Sequence, residues 1–134
     1  MTRHISRRAA IAGLAAALAL QLPHHAMAGT SELSETLLSV VDDRRAAAAI
    51  GEFWIQHKRG GGPNPASLVN NLADMLHAQG WSGSSDPAEL RRLFDAAARA
   101  DYQRGETVTV AGWQLARSQA NLCALAYFST AGLL

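Results

Sequence analysis

Hydrophobic positions between Thr30 and about Lys58 recur every three or four residues, which is the spacing of an amphipathic helix. The apolar stripe stops at Asp42-Asp43, and a new one that includes Ile50, Phe53 and Trp54 begins after these two residues. Because aspartate commonly caps helices, the pattern predicts two helices with a bend near Asp43 instead of one long helix. Gly51 costs a helix about 1 kcal/mol relative to alanine, so we expect another helix to pack closely against it.

Two further helices are marked by capping residues. Asn64-Pro65 provides an N-cap residue followed by a proline at the first helical position, and the apolar pattern that follows runs to Gly80. Asp86-Pro87 opens a fourth helix in the same way, and that helix is expected to end near Gly105. The Gly- and Ser-rich residues between these two helices predict a loop.

The pattern changes at Glu106–Val110, where residues alternate and several are β-branched. Such alternation is typical of a strand, but a single strand leaves its backbone hydrogen-bonding groups without partners. The segment could pair with a second copy of the chain or with a partner protein, or it could be an extended connector, which we favour. Gly112 then precedes a last helix predicted from about Trp113 to Ser129.

About five helices joined by short links predict an all-α fold, specifically a single small orthogonal bundle. We assign this bundle to residues 29–134. A chain of that length is large enough to build a modest hydrophobic core without disulfides.

Residues 1–28 have the composition of a cleaved signal peptide. Arg7 and Arg8 form a basic start, Ala9–Leu22 is apolar, and Ala26-Met27-Ala28 ends the segment with small residues at the expected cleavage site. The apolar run is shorter than the ~20 residues that a spanning helix needs, so we expect no permanent membrane span.

Ser6-Arg7-Arg8 resembles the start of the twin-arginine export motif, although Ala10 stands where that motif has phenylalanine. An ordinary secretory signal that happens to carry two arginines is the alternative. Both interpretations predict a periplasmic protein. The twin-arginine route carries proteins that have already folded, often with a cofactor or a partner bound, and the export machinery is then itself a transient partner.

Charge and cysteine content exclude several functions for the mature chain. Nine of the 12 basic residues lie after residue 28 together with all 11 acidic ones, which gives a formal net charge of −2 and does not favour nucleic-acid binding. Cys123 is the only cysteine, so no intramolecular disulfide, attached c-type haem or four-cysteine cluster can form. No nucleotide-binding glycine motif is present, and we predict no bound cofactor.

Few side chains suggest chemistry. His57 and His77 each lie near the end of a predicted helix, where a helix-capping role explains them most simply. Together with Met75 and Cys123, the two histidines could instead form a metal site of soft ligands, which suits copper. No two of these residues have the short sequence spacing that is typical of metal ligands. Cys123 lies in an apolar helical context typical of a small core residue, so we predict no catalytic nucleophile and no enzyme activity.

Three tryptophans are many for a chain of this length. Trp54 fits a core position. Trp81 and Trp113 flank predicted helix ends, where we expect partial exposure, and exposed aromatic residues are typical anchors of protein interfaces. The alternative for Trp81 is that it folds back over the bundle. We therefore predict Trp81 and Trp113 as interface residues.

The stretch Val108–Cys123 is similar to the C-terminal end of small twin-arginine-exported helical proteins of proteobacteria whose role is uncharacterised. In size, export signal and helical content, the chain also resembles the small subunits of exported flavin-dependent dehydrogenases. The resemblance implies a non-catalytic accessory subunit that escorts or stabilises a larger periplasmic oxidoreductase, and it assigns no functional residue. The alternative hypothesis is a periplasmic protein that binds a metal or a small ligand.

Overall fold

The computed structural model describes residues 31–58 and 62–134. The predicted signal peptide, including Arg7, Arg8, Ala26 and Ala28, lies outside the described residues. No helix in these two ranges is long and apolar enough to cross a membrane.

The described part of the chain is mostly helical and contains one two-stranded sheet, so the all-α prediction is corrected. Its elements, in chain order, are α1 (described over 31–38), α2 (Arg44–His57), α3 (Pro65–Ala78), α4 (Pro87–Arg104), β1 (Thr107–Val110), β2 (Trp113–Ala116) and α5 (Arg117–Thr130).

The first residues of three helices are fixed by the caps that the sequence predicts. The Asp43 carboxylate accepts a hydrogen bond from the Ala46 N–H at 2.9 Å and so separates α1 from α2. The Asn64 side chain accepts from the Ser67 N–H at 2.8 Å, and the Asp86 carboxylate accepts from the Ala88 N–H at 3.1 Å. Each cap satisfies a backbone donor that has no partner within its own helix.

The connector predicted at Glu106–Val110 is wrong, because β1 pairs with the residues that immediately follow it. β1 and β2 form an antiparallel hairpin in which Thr107 lies opposite Ala116 and Val110 opposite Trp113. Ala111 and Gly112 form the two-residue turn, and both have positive φ, at 50° and 84°, as in a type I′ turn. The last helix therefore begins at Arg117 and not at Trp113.

Helices α2 and α5 make the most extensive contact between any two elements of the described chain. Their backbones meet at Gly51, where a Cβ atom would lie only 2.1 Å from the carbonyl oxygen of Cys123. The expected close approach by another helix is thus confirmed.

The core consists of two hydrophobic clusters, and Tyr127 of α5 packs against both. The first lies among all five helices, and the second lies among α2, α3, α5 and the hairpin. Their principal buried side chains are Leu37, Leu38, Leu72, Leu76, Trp81, Leu90, Phe94 and Leu125 in the first, and Trp54, Leu68, Val110, Ala124 and Phe128 in the second.

Candidate functional site

A groove of about 450 Å³ lies between α2 and the hairpin. We call it the apolar groove. All of its lining residues are apolar: Ala49, Ile50 and Phe53 from α2, and Val110, Ala111, Trp113 and Leu115 from the hairpin.

Strand alternation explains why the hairpin presents apolar side chains to this groove. Residues opposite each other in an antiparallel pair lie on the same face, and that face repeats every second residue. Val110 lies opposite Trp113, and Val108 opposite Leu115, so these four side chains share one face. Gln114 and Thr107 lie on the other face, where the Gln114 side-chain amide donates to the Thr107 hydroxyl at 2.8 Å.

The groove is exposed to an extent that is unusual for its residue types. Trp113 is 75% exposed, and Ile50 and Phe53 are exposed by 39% and 38%. Single exposed apolar residues are common on protein surfaces, but a contiguous group of them marks an interaction surface. The lining contains no acid, base or nucleophile, so the groove can bind an apolar group but offers no residue for catalysis.

Of the two predicted interface tryptophans, only Trp113 is exposed. Trp81 is 6% exposed and belongs to the first core cluster. Its indole N–H donates to the Ser84 carbonyl at 2.8 Å, which fixes the loop before α4. The expected exposure of Trp81 is wrong, and the alternative that it folds back over the bundle is confirmed. Its backbone N–H donates to the Leu76 carbonyl at 2.9 Å, which turns the chain back at the end of α3.

The two histidines bond to backbone carbonyls near the ends of their helices. Nδ1 of His57 lies 2.8 Å from the Phe53 carbonyl oxygen, and Nδ1 of His77 lies 2.9 Å from the Trp81 carbonyl oxygen. Each Nδ1 therefore donates. The His57 ring also stacks on the Phe53 ring with centroids 4.0 Å apart, so it covers one side of a groove residue.

Cys123 is half-buried in α5. Burial raises the pKa of its thiol from 9.0 to about 11, so the thiol is protonated at neutral pH. A protonated thiol is a poor nucleophile and a poor metal ligand. Within residues 31–58 and 62–134, no three His, Cys, Asp or Glu residues group closely enough to hold a metal ion.

Sequence reasoning missed the groove although it found several of its residues. Ile50 and Phe53 were placed in the helical pattern of α2, and Trp113 was predicted to be exposed. The groove arises only when the hairpin packs beside α2, a contact between residues far apart in the chain. The available sequence signal was the number of large apolar residues in α2, namely Ile50, Phe53 and Trp54, of which the fold buries only Trp54.

No protein-family model, curated protein or solved structure matches this chain.

Proposed function

We propose that the protein is a non-catalytic accessory subunit, exported in folded form, that binds and stabilises a larger periplasmic oxidoreductase through the apolar groove. The observation that carries this proposal is the exposure of Trp113, Ile50 and Phe53 around a groove with no polar lining residue. The twin-arginine-like signal and the resemblance to small subunits of exported dehydrogenases support the class of partner.

The chemistry of the groove defines what the partner must offer. An uncharged, apolar lining favours one or two apolar side chains presented by a helix or a loop, because a charged group would lose its hydration there without gaining a partner. Trp113 would be the main anchor, since a large aromatic side chain that becomes buried contributes much of the energy of an interface.

The test is purification of the partner from the native periplasm. The full chain, tagged at its C-terminus and expressed at natural abundance, is expected to elute with a larger protein that mass spectrometry identifies as an oxidoreductase. Trp113→Ala is expected to reduce the recovered partner about tenfold or more.

Leu133→Ala is the matched control for this experiment. Leu133 is 57% exposed and does not line the groove, so its truncation removes exposed apolar surface elsewhere. A protein that elutes alone and monomeric would contradict the proposal. Equal loss of the partner from both variants would contradict the assignment of the groove.

A further inference from the structure

The apolar groove is a liability to the protein for as long as nothing covers it. With all of the described residues in place, Trp113 is still 75% exposed, and Ile50 and Phe53 beside it are exposed as well. Contiguous exposed apolar groups of this kind promote aggregation. A chain that folds before export carries this surface through the cytoplasm, where a cover supplied by the chain itself would protect it.

The same chain has a second apolar surface in its sequence, in the predicted signal peptide. Within Ala9–Leu22, the residues Ile11, Leu14 and Leu18 recur at the three- and four-residue spacing of one helical face. Ala16 falls on the opposite side of the same pattern. Apolar residues at this spacing are what an apolar groove recognises when it binds a helix.

The signal peptide is close enough along the chain to reach the groove. Residues 23–30 separate Leu22 from the described part of the chain, and eight residues can span roughly 26 Å. Glu35 of α1 pairs with Arg44, the first residue of α2, at 3.1 Å. The first groove residue of α2, Ala49, lies roughly 7.5 Å further along the helix axis. The link is therefore longer than the distance it has to cover.

The short link also favours the chain's own segment over other occupants. A tether of this length gives an effective concentration in the millimolar range, so even a millimolar intrinsic dissociation constant leaves the groove about half occupied. The groove has an entirely apolar lining, which suits a run composed mostly of alanine and leucine. Cleavage removes this advantage, because the released peptide is no longer held near the groove.

We infer that the uncleaved signal peptide occupies the apolar groove through the face formed by Ile11, Leu14 and Leu18. This inference rests on the proposed function, because it takes the groove as the surface that later receives the oxidoreductase. It adds regulation of that surface. The groove is covered while the folded chain is in the cytoplasm, and partner binding waits until the signal peptide has been removed in the periplasm.

Tryptophan fluorescence tests the inference on the full chain purified from the cytoplasm and the mature chain purified from the periplasm. The protein has three tryptophans, and Trp54 and Trp81 are only 7% and 6% exposed, so quenching by acrylamide reports mainly on Trp113. We expect the quenching constant of the full chain to be about threefold lower than that of the mature chain, because the groove is occupied most of the time. Equal quenching constants would overturn the inference.

Two variants of the full chain test the proposed face. Leu14→Asp places a charge where it loses hydration without gaining a partner, so it is expected to restore the quenching constant of the mature chain. Ala16→Asp adds the same charge on the opposite side and is expected to leave Trp113 protected. Equal effects of the two variants would overturn the inference.

Trp113→Phe tests whether the groove is the surface that is covered. With Trp113 removed, the full and mature chains are expected to have the same quenching constant, since the two remaining tryptophans are buried in both. A difference that persists would place the signal peptide elsewhere on the protein and overturn the inference.

Dilution distinguishes the chain's own signal peptide from that of a second copy. Protection within one chain is independent of protein concentration, so it is expected to be unchanged over about a hundredfold dilution. Protection that is lost on dilution would show that a second copy covers the groove, which would overturn the inference. The proposed function fails separately, because it is judged by the oxidoreductase that the mature chain recovers, whereas these measurements use the purified protein alone.

Discussion

At the scale of the residue, Cys123 makes the free energy of unfolding depend on pH in the alkaline range. Its thiol has a pKa of about 11 in the folded protein, against 9.0 for an ordinary cysteine, because burial disfavours the thiolate. The raised pKa means that the unfolded chain loses this proton at lower pH than the folded chain does. The contribution is therefore fully present below pH 9 and is lost as pH rises from 9 to about 11, with a total of about 3 kcal/mol.

Cys123→Ala isolates this effect from the other groups that titrate at high pH. We expect urea unfolding at a series of pH values from 8 to 11 to show a steeper fall in the free energy of unfolding for the natural protein than for the variant. The alanine variant can be less stable by a constant amount at every pH, because it leaves a small cavity. Parallel curves for the two proteins would contradict the assigned pKa.

At the scale of the element, the hairpin turn carries a backbone conformation that alanine rarely adopts. Ala111 has φ of 50°, in the left-handed region, at a position where a type I′ turn favours asparagine or glycine. An L-residue with a Cβ atom loses roughly 1 kcal/mol there. Ala111→Asn is therefore expected to raise the free energy of unfolding by about 0.5–1 kcal/mol.

Ala111→Val is the matched variant for the turn, because a β-branched residue is disfavoured at positive φ. We expect it to lower the free energy of unfolding, by about 1 kcal/mol or more, in the same denaturant titration. If asparagine and valine have the same effect, the turn does not have the geometry described.

The turn also explains which elements could be predicted from the sequence. Helices with local caps, such as Asp43 and Asn64-Pro65, were predicted close to their observed starts, because the capping atoms lie within three residues of the groups they satisfy. The hairpin has no Asn-Gly or Asp-Gly signal, and β2 is only four residues long, so the alternation of Trp113, Gln114 and Leu115 is too short to distinguish a strand from the start of a helix. The assignment of Trp113–Ala116 as a strand depends on its pairing with β1 and on its packing beside α2. No local sequence pattern indicates either contact.

Surface features built by several elements could also be predicted only in part, because they depend on contacts between residues that are distant in the chain. The exposure of Trp113 followed from its position beside a glycine, but its neighbours in the groove come from α2. The contact between Asp101 and Ser118 was not predicted, because only the crossing of α4 and α5 brings these two residues together. Asp101 is buried, although aspartate is seldom buried unless it is paired, and the helical pattern of α4 does not indicate its partner.

At the scale of the whole molecule, the hairpin connects the apolar groove to α5. The groove lies beside the turn of the hairpin, and at its base the Arg117 N–H donates to the Glu106 carbonyl at 3.0 Å. Since α5 follows β2 without a loop, the position of the hairpin relative to α2 depends on how α5 packs against α2. That packing in turn depends on the absence of a side chain at Gly51.

Gly51→Ala tests this dependence. The added Cβ atom would meet the backbone carbonyl of Cys123, which cannot rotate away as a side chain could, so α2 and α5 must separate. We expect the free energy of unfolding to fall by about 3 kcal/mol, although alanine is intrinsically better than glycine in a helix by about 1 kcal/mol. The opposite signs of these two effects make the measurement decisive, because a variant more stable than the natural protein would contradict the close contact.

Glu52→Ala, at the exposed neighbouring position, is the control and is expected to change stability by less than about 0.5 kcal/mol. One wall of the apolar groove is α2, and the other is the hairpin, which continues directly into α5. Because Gly51→Ala separates α2 from α5, the folded fraction of that variant is also expected to recover less partner than the control.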